Sequence, residues 1–383
     1  MPIKNRIADM APDIQGWRRD LHEHPELRFE EHRTSAFVAD RLREFGCDEV
    51  VSGVGQTGVV AVIRGNQPGE RVIGFRADMD ALPIHEASGV DYASRTPGVM
   101  HACGHDGHTA MLLGAARYLA ETRNFSGSVV LIFQPAEEGS GGARAMLEDG
   151  LFERWGIQEV YGMHNWPGLP PGQFAVRDGA QMAASDFFEI IVRGRGGHAA
   201  RPHLAVDTTL AASAIVMAVQ SIASRNIDPL KTMVLSIGGL RSDTDTYNVI
   251  PDTVTLKGTA RYLDPEVQTM LIDRLTAIAE TTAAAYGAVA EVNYSKRVGP
   301  TINDPVAAAR AAAVAKSVSG DVIRDMDPVM PGEDFSDMLA QRPGAYLFIG
   351  NGDSADLHHP AYVFNDEIIA VGASWYAEMA EQR

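Results

Sequence analysis

The amino-acid sequence predicts a two-domain α/β protein, and three observations lead to this fold class. The chain has 383 residues, more than a single hydrophobic core normally organises. In its first half strands alternate with helices, and some strands are wholly apolar, as at residues 129–133. In its middle the pattern changes to the order β-α-β-β-α-β.

In the first half, amphipathic periodicity predicts helices at 7–23 and 32–45, and Gly46 ends the second. Two apolar runs flank the turn-forming residues 65–69, which predicts a β-hairpin of strands 58–64 and 71–76. Further elements are predicted in the order helix 107–121, strand 128–134, helix 142–149 and strand 159–163. This alternation predicts a layered α/β domain.

The middle of the chain has strands predicted at 186–192, 232–240, 253–262 and 288–294, with helices at 206–224 and 266–286. This order is typical of a ferredoxin-like domain, a four-stranded sheet with two helices on one face. The elements that follow, at 304–317, 345–349 and 365–381, are too few to form a domain alone. We therefore expect a catalytic domain of residues 1–183 and 296–383, with residues 184–295 inserted into it.

The charge and composition exclude several classes of partner. The formal net charge of −17 repels phosphate backbones and anionic membrane surfaces, so neither nucleic acid nor membrane is an expected partner. The apolar stretches are interrupted by polar residues, and the first ten residues have no apolar signal core, so we expect a cytoplasmic protein. Of the two cysteines, Cys47 is expected to be a buried small apolar residue, whereas the setting of Cys103 indicates another use than a disulfide.

Four short segments concentrate the residue types that bind metals, and each is expected to follow a strand. They are residues 100–108 (MHACGHDGH), 134–142 (QPAEEGSGG), 161–167 (YGMHNWP) and 357–360 (LHHP). Ligands gather at the carboxyl ends of strands in an open α/β sheet, so the four segments are expected to meet. Thiolate, imidazole and carboxylate ligands suit borderline metals such as zinc, manganese, cobalt or nickel.

Alternatives remain for each segment. Cys103 could be a nucleophile activated by its histidine neighbours, or a buried thiol. Glu137 and Glu138 could bind metal and substrate from an irregular turn after Pro135, or could only favour a helix N-terminus. His164 taken alone would be structural or exposed.

Several polar residues outside these segments are candidates for supporting or structural roles. Asp78 and Asp80 follow a strand and could orient a histidine ligand. His22 and His24 are expected to be surface or capping residues of the first helix. Glu333 and Asp334 could line a substrate pocket, or they could simply belong to a loop.

The chain resembles the peptidase M20 family, specifically the M20D amidohydrolases that include hippurate hydrolases, aminoacylases and auxin-conjugate hydrolases. The resemblance covers almost the whole length and rests on eight ordered blocks. They are RADMDALP (76–83), HACGHDGH (101–108), QPAEEG (134–139), GMH (162–164), GRGGHAARPH (194–203), NVIP (248–251), PGEDF (331–335) and LHHP (357–360).

This resemblance implies a site with two divalent metal ions and a glutamate base. The implied ligands are Cys103, His105, Glu138, His164 and His358, and Glu137 is the implied general base and acid. Related M20 peptidases bridge their metals with an aspartate, a role that Cys103 would take here. His358 is chosen over the adjacent His359 because it follows the leucine of the motif.

The resemblance also implies that the inserted domain is a lid through which a homodimer forms. His198, Asn248 and Arg261 in this lid look like residues that bind the substrate carboxylate or the developing oxyanion, although residues 196–198 could be only a flexible turn. The expected reaction is hydrolysis of the amide bond of a small N-acyl amino acid. The alternatives are a carboxypeptidase or dipeptidase acting on free peptides, and a catalytically silent metal- or ligand-binding protein, against which the adjacent Glu137 and Glu138 argue.

Overall fold

The computed structural model describes residues 4–139 and 141–382, and it has the predicted mixed α/β architecture. Its α-helices are α1 Asn5–Glu23, α2 His32–Glu44, α3 His105–Thr122, α4 Gly142–Glu148, α5 Leu151–Trp155, α6 Thr208–Ser221, α7 Glu266–Ala285, α8 Pro305–Ser319, α9 Phe335–Leu339 and α10 Ile369–Glu381. Its strands are β1 Glu49–Val54, β2 Gly58–Arg64, β3 Gln67–Asp78, β4 Ser126–Gln134, β5 Glu159–Pro167, β6 Phe174–Ala175, β7 Gly179–Met182, β8 Ala184–Arg193, β9 Gly197–His198, β10 Met233–Ser242, β11 Val249–Ile250, β12 Thr253–Tyr262, β13 Val289–Val298, β14 Thr301–Asn303, β15 Val322–Ile323 and β16 Gly344–Gly352.

Contacts between residues divide the chain into two compact units. Unit 1 consists of Met1–Gln181, Thr301–Asp327 and Asp334–Arg383, and unit 2 consists of Met182–Pro300 and Pro328–Glu333. Each unit has its own hydrophobic core. Within the described part of the chain, no helix is both long and apolar enough to cross a membrane.

Unit 1 is built on a sheet with the strand order β1-β2-β4-β3-β5-β16-β6-β15. The central strands β4, β3, β5 and β16 run parallel to one another, and β4 and β16 are almost entirely buried. Helix α3 packs against α1 and α10 and contributes much of the core. Parallel strands covered by helices bring their carboxyl ends to one edge, which is where a site is expected.

The predicted hairpin of β2 and β3 is wrong. Strand β4 lies between them, pairing antiparallel with β2 and parallel with β3. The residues between β2 and β3 also bond to the segment leading into β4, since the Asn66 N–H donates to the carbonyl of Arg123. Strand β4 is apolar on both faces and has a partner on each edge, and its residues 129–134 are buried.

Two of the four ligand-rich segments do not follow a strand as predicted. Strand β5 extends to Pro167, so His164 lies inside it. The segment around Cys103 lies at the beginning of α3, of which His105 is the first residue. The other two segments do follow strands, because β4 ends at Gln134 and β16 ends at Gly352.

Unit 2 has the order β8-α6-β10-β12-α7-β13, and its sheet has the strand order β10-β12-β8-β13 with antiparallel neighbours throughout. This is the predicted ferredoxin-like topology. Helices α6 and α7 pack against each other and bury residues such as Ile215 and Leu275 with the apolar face of the sheet. A separate antiparallel pair is formed by β9 and β11, and β11 comes directly before β12 in the chain.

Candidate metal centre

Unit 1 brings the side chains of all five predicted metal ligands together. The ligand atoms of Cys103, His105 and His164 lie within 4.8 Å of one another, and so do those of Cys103, Glu138 and His358. The two groups share the sulfur of Cys103. Two overlapping sets of donors around one thiol are the arrangement that a bridging ligand requires.

Gly104 positions the thiol and the first imidazole. It has φ 85°, and it is the residue that precedes α3. A Cβ atom at this position would lie 2.3 Å from Asn165 Nδ2 and 2.6 Å from the Tyr362 hydroxyl oxygen. Asn165 Nδ2 donates to the carbonyl of Cys103 at 2.7 Å, so a side chain at Gly104 would disrupt the contact that holds the loop.

The ring of His105 is oriented by Asp80. His105 Nδ1 donates to the backbone carbonyl of Asp80 at 2.9 Å, and Nε2 has no hydrogen-bond partner among the residues that the structure describes. Burial favours the neutral imidazole, but the carboxylates of Asp78 and Asp80 outweigh it and raise the pKa of His105 to about 10. The same negative charge would favour a divalent cation at Nε2.

His164 presents its other ring nitrogen to the thiol. Its Nδ1 donates to the carbonyl of Asn165 at 2.7 Å, which leaves Nε2 3.4 Å from Cys103 Sγ. Burial and the neighbouring His108 lower the pKa of His164 well below its ordinary value. The imidazole is therefore neutral, the form that binds metals.

The two glutamates lie in a turn after β4 that begins with Ala136 at φ 51°. The Glu137 and Glu138 N–H groups each donate to the Asp80 carboxylate at 3.0 Å. Glu138 Oε1 lies 3.1 Å from His358 Nε2, although the two atoms do not have hydrogen-bond geometry. This turn thus directs one carboxylate to the group that contains Cys103 and His358.

His358 and His359 have different surroundings. The backbone N–H of His358 donates to the carbonyl of Ala102 at 2.8 Å, which links the fourth segment to the first. His359 Nδ1 instead accepts a hydrogen bond from the Ala361 N–H. Of the two, His358 is the histidine that lies in a ligand group.

The structure adds a buried polar layer that the sequence reasoning missed. Asp78, predicted to orient a ligand, accepts a bond from His108 Nδ1 at 2.6 Å and pairs with Arg76 at 2.7 Å. Although burial favours the protonated carboxyl, His105, Arg76 and His108 hold the pKa of Asp78 well below its ordinary value. His108 Nε2 in turn accepts from the Asn165 N–H. The i, i+3 spacing of the two helical histidines was the available signal, since it places both on one face of α3.

The buried layer also includes one of the two acidic residues at 333–334. Asp334 is buried and accepts hydrogen bonds from Gln134 Nε2 at 2.7 Å and from the Ala143 N–H at 3.0 Å. It therefore connects the end of β4 with the beginning of α4.

The prediction that His22 is a surface or capping residue is wrong. Its side chain is 2% exposed and pairs with Asp106 at 2.8 Å and Glu86 at 3.2 Å. Burial opposes the charged form, but Asp106 and Glu86 outweigh it and raise the pKa of His22 to about 9. The face of α1 that carries His22 packs on α3, a contact that the pattern of α1 alone does not reveal. His24, by contrast, bonds the carbonyl of Asp20 at the end of α1.

The predicted substrate-binding residues lie in unit 2, and the structure brings only two of them together. His198 pairs with Val249 across β9 and β11, next to Asn248, whose carbonyl accepts from the Ala199 N–H. Arg261 lies near the end of β12, roughly 26 Å along the strand from Thr253 at 3.3 Å per residue, and bonds Ser185 Oγ.

The two cysteines are both free and differ in their surroundings. Cys47 is partly buried against the core of unit 1, and burial raises the pKa of its thiol to about 12. A protonated thiol of this kind behaves as a small apolar side chain. Cys103 is buried among the candidate ligands.

Thiol, imidazole and carboxylate groups that converge at one edge of an open α/β sheet are typical of proteins that bind metal ions. The comparisons with known proteins specify it further: residues 74–382 match Peptidase family M20/M25/M40, and the chain belongs to this family.

Relatives and solved structures agree with this assignment. The hippurate hydrolase of Campylobacter jejuni is 43% identical, over 99% of each chain. The thermostable carboxypeptidase 2 of Saccharolobus solfataricus is 39% identical, over 99% of this chain and 98% of the relative. The crystal structure of the YXEP protein of Bacillus subtilis, described as a dinuclear metal binding peptidase from the M20 family, superposes with a TM-score of 0.86 at 35% identity, covering 97% of this chain and 98% of that one.

Proposed function

We propose that this chain hydrolyses the amide bond of N-acyl amino acids and uses two divalent metal ions held by Cys103, His105, Glu138, His164 and His358. The observation that carries the proposal is the pair of ligand groups that share Cys103. The full-length similarity to a hippurate hydrolase supports an acylated amino acid as substrate.

The residues fit such metal ions. His105 Nε2 is buried without a hydrogen-bond partner in the described part of the chain. Glu138 Oε1 and His358 Nε2 approach to 3.1 Å without hydrogen-bond geometry. Each unsatisfied buried polar group costs about 1–3 kcal/mol, and bound divalent cations would satisfy the two buried atoms, His105 Nε2 and Glu138 Oε1. The set of thiolate, imidazole and carboxylate suits zinc, manganese, cobalt or nickel.

A divalent ion bound there supplies a Lewis acid for the amide carbonyl and lowers the pKa of water towards neutrality. We assign the proton transfers to Glu137, which lies within 4.8 Å of the ligand atoms of His105 and Glu138. Glu137 takes a proton from the attacking water and delivers it to the leaving nitrogen. The Asp334 N–H donates to Glu137 Oε1 at 3.3 Å and helps to orient this carboxylate.

We assign substrate binding and dimerisation to the inserted domain, residues 184–295, acting as a lid. His198, Asn248 and Arg261 have the donor groups needed for the substrate carboxylate and for the oxyanion, where one donor typically contributes about 3–4 kcal/mol. We further expect the protein to be a homodimer and to be located in the cytoplasm.

A carboxypeptidase or dipeptidase is the second candidate, favoured by the relative named as a thermostable carboxypeptidase. Both reactions need the same metals and base, and they differ in whether the substrate amine is acylated. A panel of hippurate and N-acetyl amino acids against unblocked dipeptides separates them.

The test of the proposal is metal analysis of the purified protein, followed by this panel after chelation and restoration of each metal in turn. We expect bound divalent metal, loss of hydrolysis on chelation, and its return with acylated substrates. Protein that binds no divalent metal would contradict the proposed centre, and hydrolysis confined to unblocked peptides would favour the carboxypeptidase.

A further inference from the structure

The turn that carries Glu137 and Glu138 is held by two carboxylates through three successive backbone amides. The Ala136 N–H donates to Glu31 Oε1 at 2.9 Å. The Glu137 and Glu138 N–H groups each donate to the carboxylate of Asp80 at 3.0 Å. Asp80 follows β3, whereas Glu31 lies just before α2 and outside the stretch that matches the family.

Glu31 is fully buried, and both of its carboxylate oxygens are used. Its second oxygen, Oε2, accepts a hydrogen bond from Thr57 Oγ1 at 2.5 Å. Its backbone carbonyl accepts from the Ser35 N–H at 2.9 Å, which fixes the beginning of α2. Since a buried carboxylate is costly unless hydrogen-bonded, each of these two donors stabilises the buried side chain through a different oxygen. Glu31 therefore links α2, the β1–β2 turn and the turn after β4.

Ala136 has a backbone conformation that needs such support. Its φ of 51° lies in the left-handed region, which costs a residue with a Cβ atom about 1–2 kcal/mol. Its N–H is held by Glu31, and its carbonyl accepts from the Gly142 N–H at 3.1 Å. This bend comes directly after β4 and sets the direction in which the next two side chains leave the backbone.

We propose that Glu31 is a positioning residue that holds Ala136 in this conformation and thereby sets the placement of the Glu137 carboxylate. Glu31 touches neither substrate nor metal in this role. The role in turnover rests on the proposed function, because it assumes that Glu137 transfers protons. The role in holding the turn does not depend on it.

The test compares Glu31→Ala with Glu31→Gln and with the control Thr57→Val. Alanine removes the acceptor for the Ala136 amide, and we expect kcat on hippurate to fall about 10- to 100-fold with KM almost unchanged. Glutamine can accept from the Ala136 N–H and donate to Thr57 Oγ1, so we expect it to restore kcat to within about threefold of wild type. Thr57→Val removes the other partner of Glu31 and is expected to retain wild-type kcat.

Two further measurements on the same variants do not depend on the substrate. Hydrogen exchange of the segment around Ala136 should be faster in Glu31→Ala and unchanged in Glu31→Gln. The metal-to-protein ratio should stay that of wild type, because Asp80 still holds the amides of Glu137 and Glu138.

Unchanged exchange of the Ala136 segment in Glu31→Ala would overturn the proposal, as would a Glu31→Gln variant as slow as Glu31→Ala. A wild-type protein that hydrolyses nothing on the panel would instead refute the proposed function, and exchange would still decide the role of Glu31.

Discussion

Adjacent carboxylates with different tasks are the central feature of the site at the scale of single residues. Glu138 lies in a ligand group with Cys103 and His358, while Glu137 is the proposed base. We expect Glu137→Gln to retain metal and to lower kcat by about 10²- to 10⁴-fold, because an amide cannot accept the proton from water. Metal analysis and steady-state kinetics on one preparation check both expectations.

Glu138→Gln is the matched control, since it makes the same change one residue further along the turn. We expect this variant to lose metal as well as activity, because a neutral amide is a weak ligand for a divalent cation. Unchanged turnover in Glu137→Gln would exclude it as the base.

The buried pair of His22 with Asp106 makes stability depend on pH. The pKa of His22 is raised from 6.5 to about 9, so its contribution is complete below about pH 6.5 and is lost as the pH rises towards 9. The loss is on the order of 3 kcal/mol. We therefore expect wild type to lose more stability than His22→Gln between about pH 6 and pH 9.5 in urea unfolding.

His24→Gln is the control for this prediction, because His24 lies two residues further along and its side chain is 33% exposed. It should have the pH dependence of wild type. Equal pH dependence in wild type and His22→Gln would contradict the assigned pair.

At the scale of residues, the residue types and motifs of the sequence predicted which side chains come together as candidate ligands. The side chains of Cys103, His105, Glu138, His164 and His358 do converge in unit 1. The histidine partner of Asp78 could not be predicted from local pattern, because His108 lies in α3 and reaches Asp78 only when α3 packs on β3. Arg76, by contrast, lies two residues from Asp78 on the same strand. The burial of His22 likewise follows from the packing of α1 on α3.

At the scale of elements, the beginning of α3 depends on a glycine that no other residue can replace without movement. In Gly104→Ala a methyl group would meet Asn165 and Tyr362 at 2.6 Å or less. Overpacking costs about 1–3 kcal/mol and a positive φ about 1–2 kcal/mol, so we expect a loss of roughly 2–5 kcal/mol together with weaker metal binding. Urea unfolding and metal analysis measure the two effects.

Gly89→Ala is the control that separates the cost of a positive φ from the cost of the steric contacts. Gly89 has φ 76° but nothing within 4 Å of its missing Cβ atom, so its substitution carries the backbone cost alone, about 1–2 kcal/mol. Equal losses in the two variants would show that the contacts with Asn165 and Tyr362 contribute nothing.

The periodicity of the sequence predicted whether a segment is a helix or a strand. It did not always predict which strands pair in the sheet. The β-α-β-β-α-β order of unit 2 determines its sheet topology because few arrangements of that order are known. The turn-forming residues between β2 and β3 predicted a hairpin, and the insertion of β4 between them is a long-range pairing. A tight turn is a local feature, so it does not show that a third strand separates its neighbours.

At the scale of the whole molecule, the expected homodimer gives unit 2 a second task. Strand β10 is an edge of the sheet of unit 2, and Val234 and Leu240 on it are 39% and 50% exposed. Exposed apolar residues on an edge strand favour pairing with another strand. We expect light scattering to give twice the chain mass of 41.2 kDa for wild type and the single mass for Val234→Lys with Leu240→Lys.

Val289→Lys is the matched control on the opposite edge strand, β13, where this residue is 68% exposed. The Val289→Lys variant should still have the mass of a dimer in light scattering. A wild-type protein of single mass at micromolar concentration would contradict the dimer.

The order in which the chain leaves and re-enters unit 1 has a consequence for synthesis on the ribosome. Unit 2 is continuous over Met182–Pro300 except for a short later piece, so its sheet can form while the chain is still being translated. Unit 1 cannot complete its sheet until β16 has emerged and inserted between β5 and β6. His358 follows β16, so the nascent chain displays Cys103, His105 and His164 well before their last companion arrives. The proposed set of five ligands is therefore complete only after β16 has joined the sheet.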